Sequence, residues 1–412
     1  MTQGFALFEF QRRARHLPPL QDSAPISPFK LAEGEKGDGV GKRIVIGVPK
    51  EIKISENRVG LTEAGVKQLV KEGHTLLVQK DAGFGSRITN EQYEKAGAKI
   101  VDSAAELYSK ADMIMKVKEP LPDEYELLRE NQILYTYLHL AAEAKLTKVL
   151  CERKVKSIAY ETIQLDDGSL PLLTPMSEVA GRMATQIGAF YLQKDHGGKG
   201  ILLGGVTGVN RGKVTIIGGG VVGINAAKMA VGLGAEVTIL DVNHKRLEYL
   251  DDVFQGRLTT LHSNTQNIEK SVVESDLVVG GVLVTGWKAP ILVSKDMIER
   301  MQPGSVVVDV AVDQGGCIET CRPTSHQNPT YEVNGVIHYC VPNMPGVVAR
   351  TSTYALTNAT FKYGSMIAAM GVEDAVAKDR ALYKGLNCYG GHVTYEPVAR
   401  SLGMDFKPYS AN

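Results

Sequence analysis

The chain has 412 residues, 43% of them hydrophobic, and Lys+Arg 46 balances Asp+Glu 46 to a formal net charge of zero. That is enough apolar material for one large core or two, and it excludes the basic excess by which nucleic-acid and anionic-membrane binders hold phosphates. No apolar run approaches a membrane span, and five cysteines, at 151, 317, 321, 340 and 388, are odd in number and scattered, as reduced thiols are, rather than paired for a disulfide framework or a zinc site.

Residues 1–42 carry four prolines, a glycine-rich end and no sustained period, and are expected to be a disordered extension. Arg12, Arg13 and Arg15 beside Phe5, Phe8 and Phe10 hint at an organelle transit peptide, which Glu9 and the proline cluster oppose. A start codon assigned too far upstream, with translation beginning near Val40, is the other reading.

From Arg43 short β-branched runs alternate with helical stretches. The runs are RIVIGV, TLLVQ, AKIV, DMIMKV, ILYTYL and SIAYETI, and the helical stretches are 62–72, 90–96, 103–110, 123–130 and 141–153. This order predicts a parallel sheet covered on both faces. A connecting helix follows, PMSEVAGRMATQIGAFYLQK, entered through Pro175. A second alternating block runs from KVTIIG through AEVTILD, a strand near 257–261, DLVVGGVL, SVVVDVAVD and VIHYCV. Beyond Arg350 helical patterns dominate, in STYALTNATFKYGSMIAAM and VEDAVAKDRALYKGL. The expected fold class is therefore α/β, with two doubly wound, Rossmann-like parallel-sheet domains and an active-site cleft between them.

The strongest local signal is GGGVVG after KVTII. Gly218, Gly220 and Gly223 form G-x-G-x-x-G between a strand and a helix. In that frame Gly218 permits the tight turn, Gly220 lets the backbone approach a pyrophosphate, and Gly223 lets helix and strand pack closely. Asp241 ends the next strand, where a carboxylate accepts from ribose hydroxyls and repels a 2′-phosphate, so NAD is favoured over NADP. His244, Lys245 and Arg246 just beyond it keep NADP open, or simply begin a solvated helix. In SVVVDVAVDQGG, Asp309 sits mid-strand and reads as structural, whereas Asp313 at the carboxyl end is the functional candidate.

Three basic residues fall at or beyond strand ends in the first block: Arg58 in ISENRVG, Lys118 closing DMIMKVK, and His139 after ILYTYL. A histidine closing an apolar run is more often a hydrogen-bonded core residue. Three cations at equivalent strand ends, opposite a nucleotide site, favour convergence on an anionic small molecule. Arg58 could clamp a carboxylate bidentately, Lys118 could hold a carbonyl or carboxylate oxygen, and His139 could serve as acid/base near neutral pH.

At this point longer words accumulate: IGVPKEIK with ENRV, KVKEP at 116–120, TYLHLAA, IAYETIQ, LPLLTPMSEVAGRMA, VDVAVDQGGC, NMPGVVARTSTYALTNAT and KGLNCYGGHVTYEPVA. From about Arg43 to Leu402 the chain resembles the L-alanine dehydrogenase family, within the alanine dehydrogenase/pyridine nucleotide transhydrogenase superfamily. The resemblance implies NAD-dependent, reversible oxidative deamination of L-alanine to pyruvate and ammonium. It implies Arg58 and Lys118 as substrate-binding residues and His139 and Asp313 as the catalytic pair. It places NAD against Ser177, Gly218, Gly220, Val221, Gly223, Asp241, Ser263, Val282 and Leu283. Val310, Ala311, Val312, Asp313, Arg322, Val341, Pro342, Asn343 and Met344 belong to the same set. It also implies a discontinuous catalytic domain, about 43–171 plus 350–412, around an NAD domain at 172–349, and a cytoplasmic homohexamer. The helix around Met366 and Met370 lacks the Glu and His with which some relatives hold a divalent ion, so no metal is expected.

Two other readings share these residues. One is the soluble NAD(H)-binding subunit of a proton-translocating transhydrogenase, which shares fold and fingerprint. The other is a non-catalytic NAD-binding sensor or scaffold. The complete Arg58, Lys118, His139 and Asp313 set and the word STYALTNAT argue for the amino-acid enzyme over both.

Overall fold

A computed structural model describes residues 43–282, 289–312 and 315–410. Its strands are the short aliphatic runs of the sequence: β1 (Val45–Val48), β2 (Thr75–Gln79), β3 (Lys99–Val101), β4 (Met113–Met115), β5 (Ile133–Thr136), β6 (Lys156–Ala159) and β7 (Lys213–Ile217). They continue with β8 (Glu236–Asp241), β9 (Thr259–His262), β10 (Leu277–Gly280), β11 (Val306–Asp309), β12 (Thr330–Val333), β13 (Val336–Tyr339), β14 (Leu386–Tyr389) and β15 (His392–Val393). Two mostly parallel sheets result. The first is eight-stranded in the order β15-β14-β6-β5-β4-β1-β2-β3, and the second seven-stranded in the order β12-β13-β11-β10-β7-β8-β9. Every residue of β4, β5, β10 and β11 is buried, because helices cover both faces and leave no strand position for a polar side chain to reach water.

In both sheets the chain order reverses beside the first strand, between β1 and β4 and between β7 and β10. Crossovers on either side of such a point leave opposite faces of the sheet, which opens a crevice at the carboxyl ends of the strands. Arg58, Lys118 and His139 follow β1, β4 and β5; Gly218, Gly281 and Val310 follow β7, β10 and β11.

The helix Thr174–Tyr191 crosses the helix Val221–Gly232 so closely that a Cβ on Gly181 would stand 2.2 Å from the Val222 carbonyl oxygen. Thr185 donates to the Ala226 carbonyl across the same contact at 2.9 Å. The helix Ala349–Met370 returns to the first sheet: Tyr135 donates to the Thr360 carbonyl, and Thr353 accepts from the Val59 amide. Among the described residues no helix is long and apolar enough to cross a membrane.

The structure corrects the sequence reading at the sheet edges. Residues beyond Arg350 are not wholly helical: β14 pairs antiparallel with β6, and β15 pairs antiparallel with β14. The unexpected β12 pairs antiparallel with β13. The signals were tight turns. Asn334 and Gly335 take φ +51 and +78, and Gly390 and Gly391 take +58 and +85, the left-handed conformations that two-residue hairpins require. The second hairpin directly follows a helical pattern, Arg380–Gly385, whereas of the first only the β13 half, VIHYCV, reads as a strand. The extension expected over residues 1–42 lies outside the described residues.

Candidate active site

Arg58, Lys118, Tyr137 and His139 from the first sheet line one cavity of about 150 Å³, closed on the other side by Met176, Ser177, Val222, Gly281, Val310, Ala311, Asn343 and Met344. A neighbouring groove of about 540 Å³ is lined by Gly218, Gly220, Val221, Asp241, Ser263 and Val282. Leu173, Ser177, Val222 and Gly281 border both, so the two spaces are one continuous site.

Arg58 is buried on the loop after β1. Its Nε donates to Glu56 Oε1 at 2.6 Å, and its Nη2 donates to Glu56 Oε2 and to Asn343 Oδ1. Among the described residues Nη1 reaches only the Met176 sulfur, at 2.9 Å. The fork edge that matches a carboxylate is therefore taken by Glu56, and Nη1 is the nitrogen left toward the cavity. Burial raises the Glu56 pKa, but the Arg58 guanidinium outweighs it and holds the carboxyl below its ordinary value.

Lys118 differs. Its backbone is pinned, the amide donating to Glu51 Oε1 at 3.3 Å and the carbonyl accepting from Thr136 Oγ1 at 2.9 Å. Its Nζ has no hydrogen-bond or ion-pair partner among the described residues. Burial, and then the nearby Arg58 charge, push its pKa down. An ammonium held this way gains most from an arriving anion. Glu51 also accepts from the Val117 amide at 2.6 Å and lies 3.6 Å from the buried Lys116, so the strand end carrying Lys118 is anchored by an internal ion pair.

His139 lies beyond β5 with φ +51, a left-handed conformation uncommon outside glycine and concentrated at functional sites. Glu161 holds it there, accepting from the His139 amide at 2.6 Å and from the Leu138 amide at 3.1 Å. The ring stays reachable, 47% exposed, and its Nδ1 is 3.5 Å from Glu119 Oε2. Glu119 is buried and also paired to Lys53. Burial raises its pKa, yet His139 and Lys53 together bring it down to about 2. Asn343, on the opposite wall, is a second left-handed residue at φ +57.

The glycine turn has three distinct geometries. Gly218 takes φ +97, and a Cβ there would meet Val282 Cγ2 at 2.9 Å. A Cβ on Gly220 would meet nothing within 4 Å, so that position opens into the groove at the start of the helix Val221–Gly232. A Cβ on Gly223 would lie 1.8 Å from the Gly218 carbonyl oxygen. Asp241 accepts from the Gly219 amide at 2.7 Å and the Asn243 amide at 2.8 Å, which fixes the carboxylate beside the turn. Arg246 donates to the carbonyls of Gly219 and Gly220, so its charge braces the loop.

Of the other expected site residues, Val312, Val341, Pro342 and Arg322 border neither space; the Arg322 guanidinium stacks on Tyr331 at 4.2 Å. Leu283 and Asp313 lie outside the described residues. Asp309 is buried at the end of β11, accepting from the Ala311 and Cys317 amides at 3.1 and 3.0 Å. Sequence reasoning gave no role to Glu56, Glu119, Glu161 or Tyr137. Their signal was present in the words ENR, KVKEP and YET, where an acid adjoins or nearly adjoins a functional residue, but proximity in sequence did not say which partner each acid faces.

Residues 47–180 match the family model "Alanine dehydrogenase/PNT, N-terminal domain", and residues 184–396 match "Alanine dehydrogenase/PNT, C-terminal domain". An alanine dehydrogenase of Methanococcus maripaludis is 60% identical over 366 residues, spanning 89% of this chain and 98% of that protein. One from Bacillus subtilis is 58% identical over 366 residues, spanning 89% and 96%. A solved L-alanine dehydrogenase superposes with a TM-score of 0.86 at 52% identity, covering 87% of this chain and 99% of the other. A transhydrogenase from Sinorhizobium meliloti superposes with a TM-score of 0.73 at 25% identity, covering 85% and 99%. With both halves of its length matched and the two sheets arranged as in these relatives, the chain belongs to the alanine dehydrogenase/PNT family.

Proposed function

We propose that this protein is an NAD-dependent L-alanine dehydrogenase, interconverting L-alanine with pyruvate and ammonium. The observation that carries the reading is near-full-length identity of 60% and 58% to alanine dehydrogenases. A buried Arg58, a half-buried Lys118 and an accessible histidine in one small cavity are a chemically sufficient set for it. The transhydrogenase-subunit reading shares the fold, but its structural relative stands at 25% identity against 52% for the L-alanine dehydrogenase.

The groove suits a dinucleotide: Gly220 leaves open space at a helix N-terminus, where backbone amides favour phosphate, and Asp241 lines the same groove with a carboxylate able to accept from ribose hydroxyls. Ser177, Ser263 and Val282 would complete that wall. Asp241 disfavours a 2′-phosphate, and Arg246 is engaged with loop carbonyls, which supports NAD over NADP. When bound, NAD⁺ supplies the hydride acceptor.

The chain's own groups do the rest. Lys118, with the cavity-side Nη1 of Arg58, neutralises the substrate carboxylate and holds it against the wall formed by Tyr137. His139 takes a proton from the substrate nitrogen or from attacking water and returns one as ammonia leaves. Asp313 is assigned to orient that water. Residues 43–171 and 350–412 are assigned to the catalytic domain and 172–349 to the NAD domain; β14 and β15 joining the first sheet support this division. A cytoplasmic homohexamer is the proposed assembly. The test is NADH absorbance on mixing the protein with L-alanine and NAD⁺: growth of the signal is expected, and its absence alongside intact NAD⁺ binding would overturn the reading.

A further inference from the structure

Glu119 Oε2 is buried and has no hydrogen-bond partner among the described residues within ordinary distance. His139 Nδ1 lies 3.5 Å from it. Its other oxygen is paired to Lys53. A buried carboxylate oxygen without a donor costs stability, so something must approach it. The His139 backbone cannot swing to do so, because Glu161 holds its amide and the residue sits in a left-handed well. The imidazole, 47% exposed and 3.5 Å away, has the freedom to close the gap by a small rotation about its side-chain bonds.

We propose that Glu119 is the positioning residue of His139: its Oε2 accepts the Nδ1–H, fixing that tautomer and leaving the Nε2 lone pair to exchange protons in the cavity. The ring edge opposite Nδ1 is the one free to meet a substrate, and a histidine acting as base needs its lone pair there. A third group that orients the base is a recurring arrangement in acid–base sites. The inference rests on the alanine dehydrogenase reading for its kinetics, but not for its structural content.

Two measurements test it. Solid-state ¹⁵N spectra of histidine-labelled protein, with the His139 signals identified by their loss in His139→Ala, report which ring nitrogen carries the proton. The Nδ1–H form is expected in the wild type, shifting toward Nε2–H in Glu119→Ala. In steady-state assays Glu119→Ala should lower kcat by about 10–100-fold, the usual effect of losing an orienting partner, with the KM for alanine little changed. Glu119→Gln, which keeps an acceptor, should recover part of the loss and carries the test if the alanine variant does not fold. An Nε2–H tautomer in the wild type, or an effect confined to KM, would overturn the proposal. If the wild type does not oxidise alanine, the functional reading falls while the ring-nitrogen spectrum still decides the pairing.

Discussion

Arg58 presents the Nε–Nη2 edge of its guanidinium to Glu56, two residues away, and not to the cavity it lines. The bidentate substrate clamp suggested by the sequence is therefore an internal pair, and Asn343 from the far wall joins it through Nη2 at 2.9 Å. Glu56→Gln leaves a buried guanidinium without its counter-charge. Urea denaturation should show a loss of about 3 kcal/mol, the usual cost of breaking a buried pair from one side. A loss below about 1 kcal/mol would reduce it to the value of a surface pair. Arg58→Lys should raise the KM for alanine and pyruvate, since an ammonium cannot serve Glu56, Asn343 and a ligand together.

Lys118 has the opposite sign. Its folded-state pKa lies below the ordinary 10.5, mainly through burial, so keeping it charged costs stability at every pH below that value. Lys118→Met should stabilise the protein by about 1 kcal/mol while sharply weakening substrate binding, a trade common at functional sites. Thermal denaturation beside alanine saturation curves checks both arms; a destabilised variant would contradict the unpaired-charge account.

His139→Ala should reduce turnover by about two to four orders of magnitude, the usual contribution of a general acid/base. NAD⁺ affinity, measured by calorimetry, should be unchanged because the ring lines only the smaller cavity. Surviving turnover would return His139 to the status of a structural residue.

The glycine turn separates binding from folding. Gly220→Ala has room, so stability should hold while NAD⁺ affinity falls where the methyl occupies the groove. Gly223→Ala would place carbon 1.8 Å from the Gly218 carbonyl oxygen, and the backbone must shift. A loss of about 1–3 kcal/mol is expected there, together with weakened NAD⁺ binding. Equal behaviour of the two variants would contradict these assigned roles.

Acid sensitivity should carry the signature of Glu119. Its pKa is about 2 in the folded protein against an ordinary 4.5, burial being outweighed by His139 and Lys53. A depressed carboxylate contributes stability that is present above the unfolded value and lost as pH falls through the folded one. Wild type and Glu119→Gln should therefore differ by about 1 kcal/mol near neutrality, allowing for the exposure of both partners. The difference should close between pH 4.5 and about 2. A gap independent of pH in that window would refute the electrostatic origin.

Some of this was readable in one dimension because its causes are local. A run such as Ile133–Thr136 is buried on both faces in a parallel sheet, so aliphatic continuity marks it as a strand. The spacing of Gly218, Gly220 and Gly223 reports three backbone constraints within one turn, and the structure gives each glycine its own geometry. The edge hairpins have local signals too, in Asn334-Gly335 and Gly390-Gly391, whose residue types suit the left-handed backbone of two-residue turns.

By itself the sequence determined the alternation of strands and helices, the phosphate-type turn, the position of His139 and Lys118 just past strand ends and that of Arg58 on the loop beyond another. Those follow from hydrophobic period and from backbone sterics, which act between neighbours in the chain. Only the tertiary structure decided which charge answers which. Glu56 takes the fork of Arg58, Lys118 keeps its ammonium unpaired among the described residues, Glu119 faces the ring of His139, and Asn343 arrives from 285 residues away. Electrostatic partnership depends on distance and burial across the crevice, and neither is encoded in spacing along the chain.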